Sequence, residues 1–169
     1  MPAPGTVLRQ ADSPEAVATA RSLFREYADA IGTSLEYQGF SAELAALPAP
    51  YVPPRGALLI AYVDGSAAGC AGLRPIDDAS GEMKRLYVRP DCRGLGLGRR
   101  LVEAVVRSAR DAGYRALRLD TLPGMATAQT LYRQLGFVET PPYGDTYLPG
   151  TRFYELDLAS FTLSRAGSA

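Results

Sequence analysis

Residues Glu82 to Gly98 read EMKRLYVRPDCRGLGLG, and the arrangement of the whole chain turns on this stretch. Gly81 to Val88 is rich in β-formers and predicts a strand. An arginine-flanked turn with glycines at 94, 96 and 98 follows. Gly96 to Ala112 then predicts a helix, with Leu97, Leu101 and Val105 on one face and Gly113 as its stop. Glycines let backbone approach a ligand where side chains would block it. The first amides of a helix have no intrahelical acceptor, and the helix dipole adds positive potential there. A pyrophosphate-like anion suits such a turn, and Arg89, Arg93, Arg99 and Arg100 could add charge around it. Two known phosphate loops do not fit: the third glycine of the dinucleotide fingerprint would fall at Arg99, and the Gly-Lys-Ser/Thr of the mononucleotide loop is replaced by Arg99-Arg100. Spacing alone leaves open a glycine-rich strand-to-helix turn with solvated arginines.

Before this stretch, Ala57 to Val63 and Ala67 to Ile76 predict two strands joined by Asp64-Gly65-Ser66. Thr6 to Gln10 predicts a short first strand. Ser13 and Pro14 signal a helix start, and Val17, Ala20, Phe24, Ala28 and Ile31 recur at helical spacing up to Gly32. Leu35 to Leu47 predicts a second, poorer helix, and the prolines of Pro48 to Pro54 impose an extended loop. After the stretch come a strand over Ala116 to Leu122 and a helix over Thr127 to Leu135 ended by Gly136. A short strand near Val138 and a last strand over Thr151 to Leu158 follow, and the tail past Ala159 is expected to fray. No repeat or linker divides residues 1–169, so one α/β domain with a mixed sheet is expected.

Composition narrows the chemistry. A chain of 169 residues with 47% hydrophobic and 21% charged residues is an ordinary globular domain. Its 18 basic residues balance 18 acidic ones, which weighs against a phosphate-neutralising nucleic-acid binder. There is no histidine, so a general base must be a carboxylate, a tyrosine, a water or the substrate itself. Cys70 and Cys92 lack metal-type spacing and form no disulfide framework, so no metal is expected and a reducing cytoplasm fits. No apolar run suits a membrane span, and the opening residues carry no secretory leader.

Arg93-x-x-Gly96-x-Gly98 between a strand and a helix resembles the acyl-CoA signature of the GNAT superfamily of N-acetyltransferases. The resemblance includes YVRPDCRGLGLGRRLVEAV and, downstream, TLYRQLGF at Thr130 to Phe137, and it covers about Leu58 to Leu158. It implies a mixed, largely antiparallel α/β sheet flanked by helices and splayed between its fourth and fifth strands, with pantetheine in the gap. Backbone of Leu86, Tyr87 and Val88 would pair with the acetyl-CoA arm. Arg93, Gly94, Leu95, Gly96, Leu97, Gly98 and Arg99 would cradle the pyrophosphate.

The implied reaction moves an acetyl group to an amine by direct attack in a ternary complex. An alkylamine with a pKa near 10 benefits from a base, and a thiolate leaves more easily with an acid nearby. Tyr132, in the family's Leu-Tyr-x-x-x-Gly-Phe motif, is the implied acid; its alternative is a core tyrosine. Glu82 is the implied base, through water, and period two places it on the strand face of Val88 with Tyr87 opposite. Glu82 and Lys84 could equally form a surface pair. Asp120 is a second carboxylate candidate. Cys92 reads better as a small buried residue than as an acyl nucleophile. Met125 stands where many members carry an asparagine, which leaves that cofactor contact to backbone atoms.

The acceptor side in this family comes from the first two helices and the last strands. Here it offers Tyr27, Glu36, Tyr37, Phe40, Tyr143, Tyr147, Phe153 and Tyr154, with Glu36, Tyr37, Asp120 and Tyr143 as substrate contacts. Tyrosines combine an apolar body with a polar tip, which suits a small amine or amino acid. No acidic run invites a basic peptide tail. A small-molecule amine is therefore expected, with no nucleic-acid or membrane partner, in a cytoplasmic monomer or homodimer. Two alternatives remain: a silent acyl-CoA-binding or sensor module, and a protein or peptide N-acetyltransferase.

Overall fold

Strand β1 (Thr6–Gln10) opens the fold in a computed structural model that describes residues 5–162. Helix α1 (Pro14–Ile31) follows, its first turn held by the Ser13 hydroxyl, which accepts from the Ala16 amide at 3.1 Å. The single helix expected over Leu35 to Leu47 is instead divided. Left-handed Gly39, at φ 72°, separates a 3-10 turn (Glu36–Gln38) from the short helix α2 (Phe40–Ala46). A meander of β2 (Ala57–Val63), β3 (Ser66–Pro75) and β4 (Ser80–Val88) leads to helix α3 (Leu97–Asp111). Strand β5 (Ala116–Thr121), helix α4 (Ala126–Gln134), β6 (Val138–Thr140) and β7 (Arg152–Asp157) complete the sheet. Its order is β1-β2-β3-β4-β5-β7-β6, with β4 and β5 parallel and the other neighbours antiparallel.

Each sheet face has its own core. Leu97, Leu101 and Val105 of α3 pack with Leu59, Leu73, Leu117, Leu119 and Tyr154 on one face. Leu23 and Phe24 of α1 and Phe40 of α2 pack with Leu58, Ile60 and Cys70 on the other. Full burial of each such side chain contributes roughly 1.5–3 kcal/mol, so both helical layers are strongly anchored.

The feature that positions the site is a fork. The β4–β5 ladder pairs Ser80 with Ala116, Gly81 with Leu117 and Glu82 with Arg118, and then stops. The splay falls between the fourth and fifth strands, as the family resemblance implies. Its local cause is a bulge: Arg85 sits at φ 62°, and the register against β3 slips between Cys70 and Gly72. An extra residue bends a strand and increases its twist. A left-handed arginine costs about 1–3 kcal/mol and persists only where surroundings hold it. Here the buried Arg85 guanidinium donates to the Glu43 carboxylate of α2 at 2.9 and 3.0 Å and to Gln38 Oε1 at 2.8 Å.

The bulge also shifts the strand's phase. Met83, Leu86 and Val88 lie with the α3-side core, whereas Tyr87 packs on the α1 side. Glu82, one residue from Met83, therefore shares its face with Tyr87 and not with Val88, contrary to the period-two expectation.

At the other end, Arg110 donates to the carbonyls of Leu158 and Phe161. The chain is thus tied to α3 just past Ala159, and the rest of the expected frayed tail lies outside the described residues. Among those residues no helix is long and apolar enough to cross a membrane.

Candidate active site

The fork opens into a cleft of about 1230 Å³, walled by the end of β4, the glycine turn, the start of α4 and the tip of α1. On its β5 side, β4 beyond Glu82 has no strand partner among the described residues. Backbone polar groups seek partners, so this edge suits an extended chain bearing amides. Leu86, Tyr87 and Val88 line the cleft there.

Farther along, Gly94 at φ 84° and Gly96 at φ 75° hold the turn in the left-handed region. Apart from the adjoining residues, no atom of the described residues lies within 4 Å of where a Cβ would stand at either position, so the turn is an open cradle. The first helical bond reaches from the Arg100 amide to the Gly96 carbonyl at 3.2 Å. The amides of Leu97, Gly98 and Arg99 are thereby left without intrahelical acceptors, and all three residues line the cleft. Arg93 braces the mouth by donating from Nε to the Val88 carbonyl at 3.2 Å. Arg99 is loosely paired with Glu103 at 3.7 Å. These donors fit a diphosphate.

Three expectations on this side are corrected. Arg89 is not free to serve an anion: it binds Glu26 at 2.7 Å and the Ala67 carbonyl, and it lies outside the cleft lining. Arg100 also lies outside that lining, as does Leu95, which packs against the α3-side core. Cys92 does reach the cleft, but desolvation and the Asp91 charge push its thiol up, away from a thiolate nucleophile.

Behind the cleft lies a cavity of about 20 Å³ lined by Tyr27, Lys84, Asp120 and Tyr132, among others. The two spaces share Tyr27, Leu86 and Met125 as walls. Tyr132 is at once a core residue and a wall of this cavity. Its ring packs in the core, 5.7 Å from Phe137 and 6.2 Å from Tyr154 between centroids, while the residue also walls the cavity. Burial, with lesser contributions from Tyr27 and Asp120, pushes its phenol up and keeps it protonated at neutral pH.

The two carboxylates are held differently. Glu82 lines neither space: it accepts from Arg74 at 2.9 and 2.8 Å and from the Tyr143 hydroxyl at 2.6 Å. Burial pulls its carboxyl up, but Lys84, Arg74 and Tyr143 together outweigh that and hold it below the usual range. Asp120 walls the cavity and meets one long contact, 3.4 Å from Lys84 Nζ.

The remaining acceptor-side candidates scatter. Glu36 is exposed and caps α2, accepting from the Ser41 amide at 3.1 Å and from the Ser41 hydroxyl. Tyr37 is half-buried and accepts from Gln38 Nε2 at 3.1 Å. Tyr143 and Tyr147 pack edge-on against Phe153, each 5.2 Å between centroids, and strap the segment before β7 over the sheet. Phe40 is buried beneath Arg85, and Tyr154 points into the opposite core. Sequence reading missed Arg74, Gln38 and the Arg85–Glu43 pair. Adjacent cations at Lys84 and Arg85 in the middle of a strand were the available signal.

The family model described as the acetyltransferase (GNAT) family matches residues 19–137. An uncharacterized N-acetyltransferase of Schizosaccharomyces pombe is 37% identical over 141 residues, covering 82% of this chain and 86% of the relative. An acetyltransferase structure from Streptococcus agalactiae superposes with a TM-score of 0.75 at 22% identity, covering 91% of this chain and 99% of that one. A GNAT family acetyltransferase from Elizabethkingia anophelis with acetyl-CoA bound gives 0.58 at 19% identity, covering 91% and 99%. At those identities the structural likeness is one of fold. The sequence match supplies the rest: the chain belongs to the GNAT acetyltransferase family and is an acyltransferase of the N-acetyltransferase type.

Proposed function

We propose that the protein transfers an acetyl group from acetyl-CoA to the amine of a small molecule, by direct attack with both substrates bound. The observation that carries this reading is the open glycine cradle at the end of the unpaired β4 edge. Bound there, acetyl-CoA would supply an activated acyl thioester. Leu86, Tyr87 and Val88 would offer main-chain groups to its amide-bearing arm. Arg93, Gly94, Gly96, Leu97, Gly98 and Arg99 would hold its diphosphate. Tyr132, kept neutral by burial, has a hydroxyl proton to give to a departing thiolate.

The acceptor end favours a small partner. Ala30, Ile31, Leu148 and Pro149 give it apolar walls, and among the described residues the cleft lining contains no acidic side chain to draw in a basic peptide tail.

The direct test is a thiol-release screen of amines and amino acids beside peptides. Release with small amines but not peptides is the expected result; preference for peptides would redirect the reading to a protein substrate. Calorimetry on Arg93→Ala/Gly96→Ala should show weakened CoA binding, and unchanged affinity would refute the cradle assignment.

A further inference from the structure

Residues 141–151, between β6 and β7, form no regular element, and two of them, Leu148 and Pro149, line the cleft at the end proposed for the acceptor. Among the described residues the segment's only main-chain hydrogen bond is internal, from the Thr151 amide to the Leu148 carbonyl at 3.2 Å. Side-chain contacts therefore hold it against the sheet. Near its end, the Gly150 backbone runs so close to the β5–α4 loop that an added Cβ would stand 2.7 Å from Pro123 Cγ. Near its start, the Tyr143 ring is edge-on to Phe153 at 5.2 Å and beneath the Arg118 guanidinium at 5.7 Å. The Tyr143 hydroxyl donates to Glu82 Oε2 at 2.6 Å.

Glu82 is a fixed point for that bond. It stands on the last rung of the β4–β5 ladder, opposite Arg118, just before the fork opens. Its other oxygen, Oε1, accepts from Arg74 Nε at 2.9 Å and from Nη2 at 2.8 Å. The side chain is only 7% exposed and lines neither the cleft nor the cavity. Burial and the Glu82 charge push the Tyr143 phenol up, so it remains a donor. On the carboxyl, burial is outweighed by Lys84, Arg74 and Tyr143, which keep it ionised. A hydroxyl facing an ionised oxygen at this distance makes a charge-assisted bond, roughly twice as strong as a neutral one.

We infer that Glu82, acting through Tyr143, is a positioning residue that sets which acceptor amines fit. It moors the segment carrying Leu148 and Pro149 and so fixes that wall of the cleft. The inference rests on the acetyltransferase reading above. Glu82 takes no proton from the amine: both its oxygens are engaged, it has no face on the cleft, and it acts on the reaction only through the wall. A methylene gained or lost against a fixed apolar wall changes selectivity by roughly 10- to 200-fold. With the mooring cut, the wall can retreat, so a small acceptor loses contact and a bulky one gains room.

Steady-state thiol release tests this with two acceptors, the best small amine from the screen and its phenyl-bearing analogue. Tyr143→Phe keeps the ring and removes only the hydroxyl. It should raise KM for the small amine about 10-fold, with kcat and the KM for acetyl-CoA changed less than about twofold. The kcat/KM ratio of bulky to small amine should rise about 10-fold. Glu82→Ala should reproduce both effects, and the double variant should add nothing to either single one, because the same bond is lost. If Glu82→Ala fails to fold, judged by melting temperature and CoA affinity, Tyr143→Phe still decides. Unchanged acceptor KM and selectivity in Tyr143→Phe would overturn the inference. So would loss of kcat with every amine in Glu82→Ala while Tyr143→Phe keeps it, which is the mark of a general base. Absence of thiol release from the unmodified protein with every acceptor would instead overturn the acetyltransferase reading, and this inference with it.

Discussion

On the glycine-turn side the cleft presents main chain, at Gly94, Gly96 and the free amides of Leu97 to Arg99. Across the fork the lining is side chains, among them Lys84, Asp120 and Tyr132, set in a network that includes Arg85, Glu43 and Gln38. On the proposed reading, the difference separates two tasks. A diphosphate looks the same in every acyl-CoA, so backbone donors suffice and few residue identities matter. An acceptor would have to be chosen and deprotonated, and both would depend on individual side chains held by long-range contacts.

The strongest way to break this contrast is to remove a support from the side-chain half. Glu43→Ala would strand the buried Arg85 guanidinium and should destabilise the fold by about 3–5 kcal/mol in chemical denaturation. A loss near zero would mean that the bulge does not depend on the pair. Next in size, Tyr132→Phe should lower kcat by about 100-fold while CoA affinity holds. Unchanged turnover would point to an acyl-CoA-binding module.

The main-chain half can be probed by adding a single methyl group. Gly96→Ala must force a left-handed alanine, at about 1–2 kcal/mol, seen as weaker CoA binding or a lower melting temperature. Gly98→Ala should cost less, because its Cβ would meet only Leu131 Cδ2 at an ordinary 3.5 Å. Equal effects would show that helix packing, and not turn geometry, limits the cradle.

The smallest effect concerns acid stability. Folding holds the Glu82 carboxyl below its usual 4.5, so its contribution is present above that pH and is lost on acidification below it. Glu82→Gln should therefore flatten the stability–pH curve below about pH 4.5 and leave its slope at neutral pH unchanged. An unaltered acid slope would mean that the Arg74 and Tyr143 contacts contribute little.

The glycine turn itself was legible in the sequence, because glycine spacing, a strand before it and a helix after it are all local signals; which flanking residues line the cleft was not, since Arg89, Leu95 and Arg100 lie outside the lining. Tyr132 stood out through its motif. The side-chain half was harder to read. Period-two counting along β4 has no mark for an added residue, so it put Glu82 on the wrong face relative to Val88. Arg89 read as a free charge because its partner Glu26 stands 63 residues earlier, and Glu82 read as available because Tyr143 stands 61 residues later. Glu36 read as a substrate contact because nothing upstream of Ser41 announces that a carboxylate, and not the Gly39 position, secures the start of α2.

The bulge at Arg85 gives this strand one residue more than its ladder with β3 can pair. Deleting that residue would leave Met83, Leu86 and Val88 toward α3 and Tyr87 toward α1, now in plain alternation. What would go is the bend, together with the guanidinium that ties β4 to Glu43 of α2. A codon lost here would act like a pleat let out of cloth: the lining stays inside, and the gather that held the seam open is gone.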